Sequence, residues 1–413
     1  MKKRINNLLK TFGPGIIFAG MCIGVSHLVQ STRAGADYGF SLLLVVIAAN
    51  LFKYPFFEFS SRYTASTGRS ILDGYANVGK WILWVYGIVT FISMFIVTAA
   101  VTFVAAGLLS NLMGLDISTD IWAAIIFFFC VILLFTGKYN ALDGLLKVVS
   151  TVLLISTMTA AIIAFINGRA PMAEGFVPKE VLASEGIIFL IALMGWMPTA
   201  VDMSTWTGLW AEARIEQTGY RPTKKETLLD FNLGYGITAL LAIIFLSLGA
   251  LVLFGTGIEL SNSSAAFAGQ LIGMYTSSIG EWSYIIIAAA AFSTMFSTSI
   301  TVLDGYGRSM ERIQKLLSGK AQRWSYMLWI GVVTIGAYIV ISRFLNDLRS
   351  LVDLATILSF VIAPLAAYLN YKVILSKDVT TDFQPPRWLR LLAQAGLVFL
   401  ILFTLIYFSV LIF

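Results

Sequence analysis

The sequence predicts an all-α polytopic membrane protein: eleven transmembrane helices, two five-helix halves of opposite orientation, and helices 1 and 6 broken. Three observations lead there. The 413-residue chain is 58% hydrophobic and only 12% charged, with a mean hydropathy of +0.85. Apolar runs of roughly 20 residues repeated at that density need lipid or each other. Eleven such runs can be marked, at about 13–34, 41–62, 81–111, 119–136, 143–166, 186–210, 229–255, 282–303, 326–343, 351–372 and 389–412. The first and the sixth are interrupted, and these are equivalent members of the two halves.

Taken in order, the first span opens after Gly13-Pro14-Gly15 and is interrupted midway by Gly24, Val25, Ser26 and the single histidine, His27. In lipid a backbone must satisfy its own hydrogen bonds, and these residues continue a helix poorly. Either the helix continues with a small-residue packing face, or it breaks and offers backbone groups to a ligand at membrane depth. Span two carries Lys53, Glu58 and Arg62; the i,i+4 spacing of the last two suits a structural ion pair. Span three has no acidic residue over 82–112. The loop 168–186, with Pro171 and Pro178, joins the halves. In span six, Pro198 removes a donor and clashes with the preceding turn, three residues after Gly195. Residues 211–227 are expected to form a short surface helix. Span eight holds the hydroxyl cluster Ser293, Thr294, Ser297, Thr298 and Ser299, a packing feature or a sodium site. The chain is thus one transmembrane domain over 1–413, with repeats of about 13–166 and 186–372 and an extra helix at about 389–412.

Charge sets the expected orientation. Twenty-one of the 28 Lys and Arg residues fall on alternate flanks, among them Lys2, Lys3, Arg4, Lys10, Lys138 and Arg323, whereas the opposite side has Arg169, Lys179, Arg343 and Arg349. That asymmetry places the N-terminus in the cytoplasm and the C-terminus outside. The basic flank of span one, with no obvious cleavage site, reads as retained rather than as a signal peptide. The net charge of +6 is this distribution, not a nucleic-acid footprint. Cys22 and Cys130 lie in apolar runs and suggest no disulfide or zinc framework. A P-loop motif is lacking, so ATP drive within the chain is not expected, and the titratable residues are too sparse for a membrane enzyme. A secondary transporter moving a small solute or ion through the bilayer is the leading class. A channel or transporter-derived sensor is the alternative on the same scaffold. The oligomeric state is not legible.

Gly13-Pro14-Gly15-Ile16-Ile17, the interruption nine residues on, and Ala34-Gly35-Ala36-Asp37-Tyr38-Gly39 resemble the first span of Nramp (natural resistance-associated macrophage protein) transporters. Gly195-Trp196-Met197-Pro198 resembles their sixth span. The resemblance implies a LeuT-type 5+5 inverted repeat, a bacterial inner membrane location and proton-coupled uptake of divalent metals. The departures are equally informative. Where the family has Asp-Pro-Gly-Asn, this chain has Gly24, Val25, Ser26 and His27; where it has Met-Pro-His, this chain has Met197, Pro198 and Thr199. The third-span acids associated with proton movement are missing too. The resemblance is therefore to a divergent branch.

The candidate substrate site comprises Gly24, Ser26, His27, Trp196, Met197 and Thr199. His27 and Asp202 are the candidates for coupling or gating, since an intramembrane acid is functional by default and histidine titrates in the useful range. If the solute is a metal, His27, Met197, Thr199 and Asp202 are its candidate ligands. A dication losing its water needs strong donors, normally including a carboxylate. Free N–H groups at a neutral break suit a carboxylate better, so the preferred solute is a small zwitterionic or anionic organic molecule such as an amino acid. No cofactor is expected. The coupling ion is expected to be a proton, with sodium as the alternative.

Overall fold

The computed structural model describes residues 11, 13–136, 139–320, 324–344 and 347–412, with only the helix path given over 139–150. Lys2, Lys3, Arg4, Lys10, Lys138 and Arg323 of the charge argument lie outside the described residues. Span one is a bent pair, α1 (Pro14–Cys22) and α2 (Thr32–Tyr38), meeting at 41° through a turn at Ile23 and Gly24 and a π-helical segment, Ser26–Ser31. Next come α3 (Leu43–Thr67), the short α4 (Ile71–Val78), α5 (Lys80–Met113), α6 (Thr119–Thr136) and α7 (Tyr139–Asn167). Span six is split into α8 (Ser184–Gly195) and α9 (Ser204–Thr218); residues 196–200 between them are non-helical and Val201–Met203 forms one 3-10 turn. The chain finishes with α10 (Lys224–Val252), α11 (Ser264–Ile279), α12 (Tyr284–Ser318), α13 (Ser325–Arg343), α14 (Leu348–Ile374) and α15 (Arg387–Ile412).

Among the described residues, eight helices are long and apolar enough to cross a bilayer alone. The bent first span makes a ninth, and Thr151–Asn167 and Ser184–Gly195 are shorter apolar helices. These segments occupy the eleven expected places, with most edges within a few residues and the sixth and eighth spans running on to Thr218 and Ser318.

Four features differ from the sequence expectation. The first-span interruption is shorter than 24–27, because Ser26 and His27 already lie in the wide helical turn. Residues 211–227 are not a separate surface helix. Their first part completes α9, which stops at Gly219 in the left-handed region, φ +62°. Their last part opens α10 through a capping box: the Glu226 amide donates to the Thr223 hydroxyl and the Thr223 amide to the Glu226 carboxylate. The eighth span runs on to Ser318 because its polar extension is paired. Asp304 accepts from Arg308, Trp210 and Tyr326, and Arg312 bridges Asp73 on α4 and Glu212 on α9. Finally, α4 and α11 are amphipathic rather than 20-residue apolar runs, so a search for spans passes over them. Close packing creates α11: the Ser264 hydroxyl donates to the Phe103 carbonyl at 2.7 Å, over Gly107, where a Cβ would lie 2.5 Å from Ser264 backbone.

Both halves of span one dock on α10, and glycine makes each contact. A Cβ on Gly15 would stand 2.1 Å from the Asp230 carbonyl, and one on Gly234 would stand 2.2 Å from that of Gly15. Further along, Gly35 would meet the Leu246 carbonyl at 2.0 Å and Gly249 that of Thr32 at 2.3 Å. Backbone approach through small residues drives helix association where lipid removes the hydrophobic difference. The Asp230 carboxylate fixes the start of α1 as well, accepting from the amides of Gly13 (3.3 Å) and Gly15 (2.7 Å). Those are amides a helix leaves unsatisfied, at its positive end.

This predicts a contrast between two α10 glycines. Gly249→Ala forces backbone apart and should lower stability by about 1–3 kcal/mol, as overpacking does. Gly236→Ala, which has open space around its Cβ, should be neutral or stabilising by up to about 1 kcal/mol through helix propensity. Thermal unfolding of the purified proteins in detergent orders the two, and equal melting temperatures would contradict the packing.

Candidate functional site

The break in span six removes α-helical partners from the carbonyls at the end of α8. Such groups must be paired again at membrane depth. Lys53, from the middle of α3 and 0% exposed, does this: its Nζ donates to the carbonyls of Met194 (2.7 Å), Gly195 (2.9 Å) and Thr199 (2.9 Å). An ammonium has three donors, and all are used. Asp202, just past the break, is buried, and its Oδ1 has no hydrogen-bond partner. The rest of the break is tied down in the same way. Tyr86 donates its hydroxyl to the Asp202 carbonyl (2.7 Å), Asn370 donates to the Ser204 hydroxyl (2.7 Å), and the Trp196 indole donates to Ser359 (2.9 Å). Gly195 lets α8 touch α14, because a Cβ there would lie 2.0 Å from the Thr356 carbonyl.

Opposite this break lies the bend of span one, and between them is a small cavity. Span one contributes Met21, Val25 and Ser26; span six contributes Trp196, Thr199 and Met203. Val97 and Val101 of α5 and Thr298 and Val302 of α12 close it. The wall is thus apolar, with hydroxyls, thioethers and one indole. A second hollow opens around Asp230 where α1 meets α3, α9 and α10, away from either break.

The expected site residues divide. Ser26, Trp196 and Thr199 line the cavity. Gly24 packs behind it, where a Cβ would meet the Thr298 methyl at 2.8 Å. Met197 is buried and receives a hydrogen bond from Ser31 at 3.7 Å. His27 is turned toward α10: Nε2 lies 2.8 Å from the Thr238 carbonyl and Nδ1 2.8 Å from the Ser26 hydroxyl. The π-helical turn rotates it there, one residue beyond Ser26. Nε2 faces an acceptor and so carries a proton in either charge state. The Ser26 hydroxyl has one proton and two acceptors in reach, His27 Nδ1 and the Cys22 carbonyl at 2.5 Å. A neutral imidazole takes that proton; a protonated one sends it to Cys22. Of the candidate metal ligands His27, Met197, Thr199 and Asp202, Thr199 alone reaches the cavity wall. Among the described residues no three His, Cys, Asp or Glu side chains gather at metal-binding range.

In the span-eight hydroxyl cluster, Thr298 donates to Thr294 (3.0 Å) and reaches Gly20 of α1 (3.2 Å), while Ser299 donates within its own helix. Glu58 and Arg62 form the expected ion pair, both nearly buried. Sequence analysis passed over Lys53 as their neighbour, although a lysine inside an apolar run is itself the signal that finds it. It missed a second cluster as well. Arg33 on α2 binds both oxygens of Asp353 on α14 (2.7 and 3.2 Å), Gln30 donates to Asp353 (3.1 Å), and the Arg33 guanidinium lies over the Phe189 ring. No local spacing connects residues 320 positions apart.

The cluster gives an asymmetric prediction. The side chain of Arg33 is 6% exposed and that of Asp353 27%. Asp353→Ala leaves a buried, unpaired charge, whereas Arg33→Ala leaves a carboxylate that water can reach. Asp353→Ala should therefore lower the melting temperature more than Arg33→Ala; the reverse order would contradict it.

The sequence model of the family described as natural resistance-associated macrophage protein-like (Nramp) matches residues 15–410. An uncharacterized protein of Pasteurella multocida is 37% identical over 403 residues, covering 96% of this chain and 91% of that one. The divalent metal cation transporter MntH of Listeria welshimeri is 20% identical over 417 residues, covering 96% and 89%. Among solved structures, the Eremococcus coleocola manganese transporter superposes with a TM-score of 0.72 at 15% identity, over 98% of this chain and 87% of that one. MhsT in complex with L-phenylalanine gives 0.62 at 12% identity, over 96% and 98%. At these identities the two structures speak to the fold, which is LeuT-like with spans one and six broken. With the family matched over nearly its whole length, this multi-pass membrane protein belongs to the Nramp family.

Proposed function

We propose that this Nramp-family secondary transporter carries a small zwitterionic or anionic organic solute by alternating access. The observation behind this is the wall between the two breaks. Valines, Met21, Met203 and Trp196 offer apolar contact, and Ser26, Thr199 and Thr298 offer hydroxyls. None of these lining residues is a carboxylate, so a dication meets no opposing charge on the wall. Thioether and hydroxyl donors are also weak replacements for the water of a hard or borderline dication. MhsT is described with an amino acid bound, so a related fold accommodates such a solute. The proposed moving units are the repeats of about 13–166 and 186–372, with the helix at about 389–412 outside both and the N-terminus cytoplasmic. The hollow around Asp230 is the proposed inner exit. Proton coupling is proposed to act through His27, one hydroxyl away from the cavity, and Asp202, whose Oδ1 is unpaired.

Divalent metal transport is the second reading. It is favoured by the relatives described as divalent metal cation transporters and by the fold shared with a manganese transporter. Thermal-shift binding with a panel of amino acids, small carboxylates and manganese separates the two. The expected result is stabilisation by a carboxylate-bearing solute, lost by at least tenfold in apparent affinity in Trp196→Ala and Thr199→Val. Uptake of that solute into proteoliposomes should lose its pH dependence in His27→Gln or Asp202→Asn. Micromolar, saturable manganese uptake abolished by Met197→Ala would overturn the proposal and establish the metal reading.

A further inference from the structure

We propose that the carbonyls of Met194, Gly195 and Thr199 constitute a monovalent-cation site, and that Lys53 is the tethered cation that fills it. The proposal goes beyond the transport reading and does not depend on which solute is carried. Three carbonyl oxygens converge on one nitrogen at 2.7–2.9 Å, two from the end of α8 and one from within the break, rather than from one helical turn. Two of them close the C-terminal end of α8, where aligned peptide dipoles favour positive charge. Unwound carbonyls and half-helix C-termini are what this class of membrane fold offers to a small cation. The donor reaches them from another helix, 141 residues away for the Met194 contact, so the arrangement is not a local cap.

A second observation points to the same site. Asp202, 2% exposed, directly follows the same break, and its Oδ1 has no hydrogen-bond partner. Three converging carbonyls are oxygen donors suited to a cation of one charge. Here that cation is covalently attached and cannot be exchanged with solution. A cation gradient therefore cannot be coupled at this position, whereas the break keeps its geometry without any bound ion.

Removing the side chain should create the empty site. Purified Lys53→Ala protein is melted in choline, sodium, potassium and propylammonium chloride at equal ionic strength, beside wild type and Lys53→Met. The expected result is a Lys53→Ala melting temperature several degrees below wild type in choline, with at least half of the loss recovered by propylammonium or by one alkali ion. Lys53→Met, whose chain still fills the space, should melt low in every salt, and wild type should show no such recovery. A folded Lys53→Ala protein that melts identically in all four salts would overturn the proposal. So would a Lys53→Met protein as stable as wild type. If Lys53→Ala cannot be melted cleanly, its yield of monodisperse protein when purified throughout in propylammonium or in choline is the readout. Recovery in propylammonium alone supports the site; equal failure in both overturns it. Since the readout is stability, the outcome is independent of the solute carried.

Discussion

A helix interrupted inside a bilayer must find new partners for its carbonyls, and in this protein the ammonium of Lys53 is that partner. The break in span six could not persist in lipid with those groups unpaired, because each would cost several kcal/mol. Lys53 pairs carbonyls at the end of α8 and within the break, and Tyr86, Asn370 and Ser359 bind the flanking groups. The positions of Trp196 and Thr199 at the cavity wall follow from this anchoring.

Span one is held by a different force. Its two halves lie on one continuous helix, α10, through glycine contacts at Gly15 with Gly234 and at Gly35 with Gly249. The two α10 positions are fifteen residues apart, roughly 22 Å at helical rise. The bend and the wide turn take up the length left between those fixed points. At the start of α2, Arg33 adds a bridge to Asp353 on α14, the helix that Gly195 also touches. The two breaks are thereby set against each other largely by neighbours, with the Ser31 to Met197 hydrogen bond as a direct contact, and a cavity remains between them.

The chain shares its fold with the Nramp family, but its site chemistry differs at the positions that carry the family pattern. Gly24, Val25, Ser26 and His27 stand where the family's metal-binding motif would be, and Thr199 follows Pro198. These changes belong together physically. A lysine amine bonded to the carbonyls of the sixth-span break goes with a first-span bend lacking carboxylate.

What the sequence determined by itself was the lipid-spanning architecture and the two places where it is interrupted. Hydrophobic length and the helix-breaking character of Gly24 and Pro198 are local properties, and the bilayer translates them directly into spans and breaks. That Ser26, Trp196 and Thr199 lie close to both interruptions was legible for the same reason, and they line the cavity between them. The direction in which each neighbouring side chain points was decided only by the tertiary structure. A π-helical turn sends His27 to Thr238 instead of the cavity, and Met197 faces Ser31. Lys53 acquires its role from helix α8, 141 residues along the chain, and Arg33 from Asp353, 320 residues along. Helices α4 and α11 form because α5 and its neighbours offer a surface, as Gly107 does for Ser264. Local hydrophobicity records where a chain must be helical; which polar groups meet inside the bundle depends on contacts between helices, and no spacing within one helix encodes them.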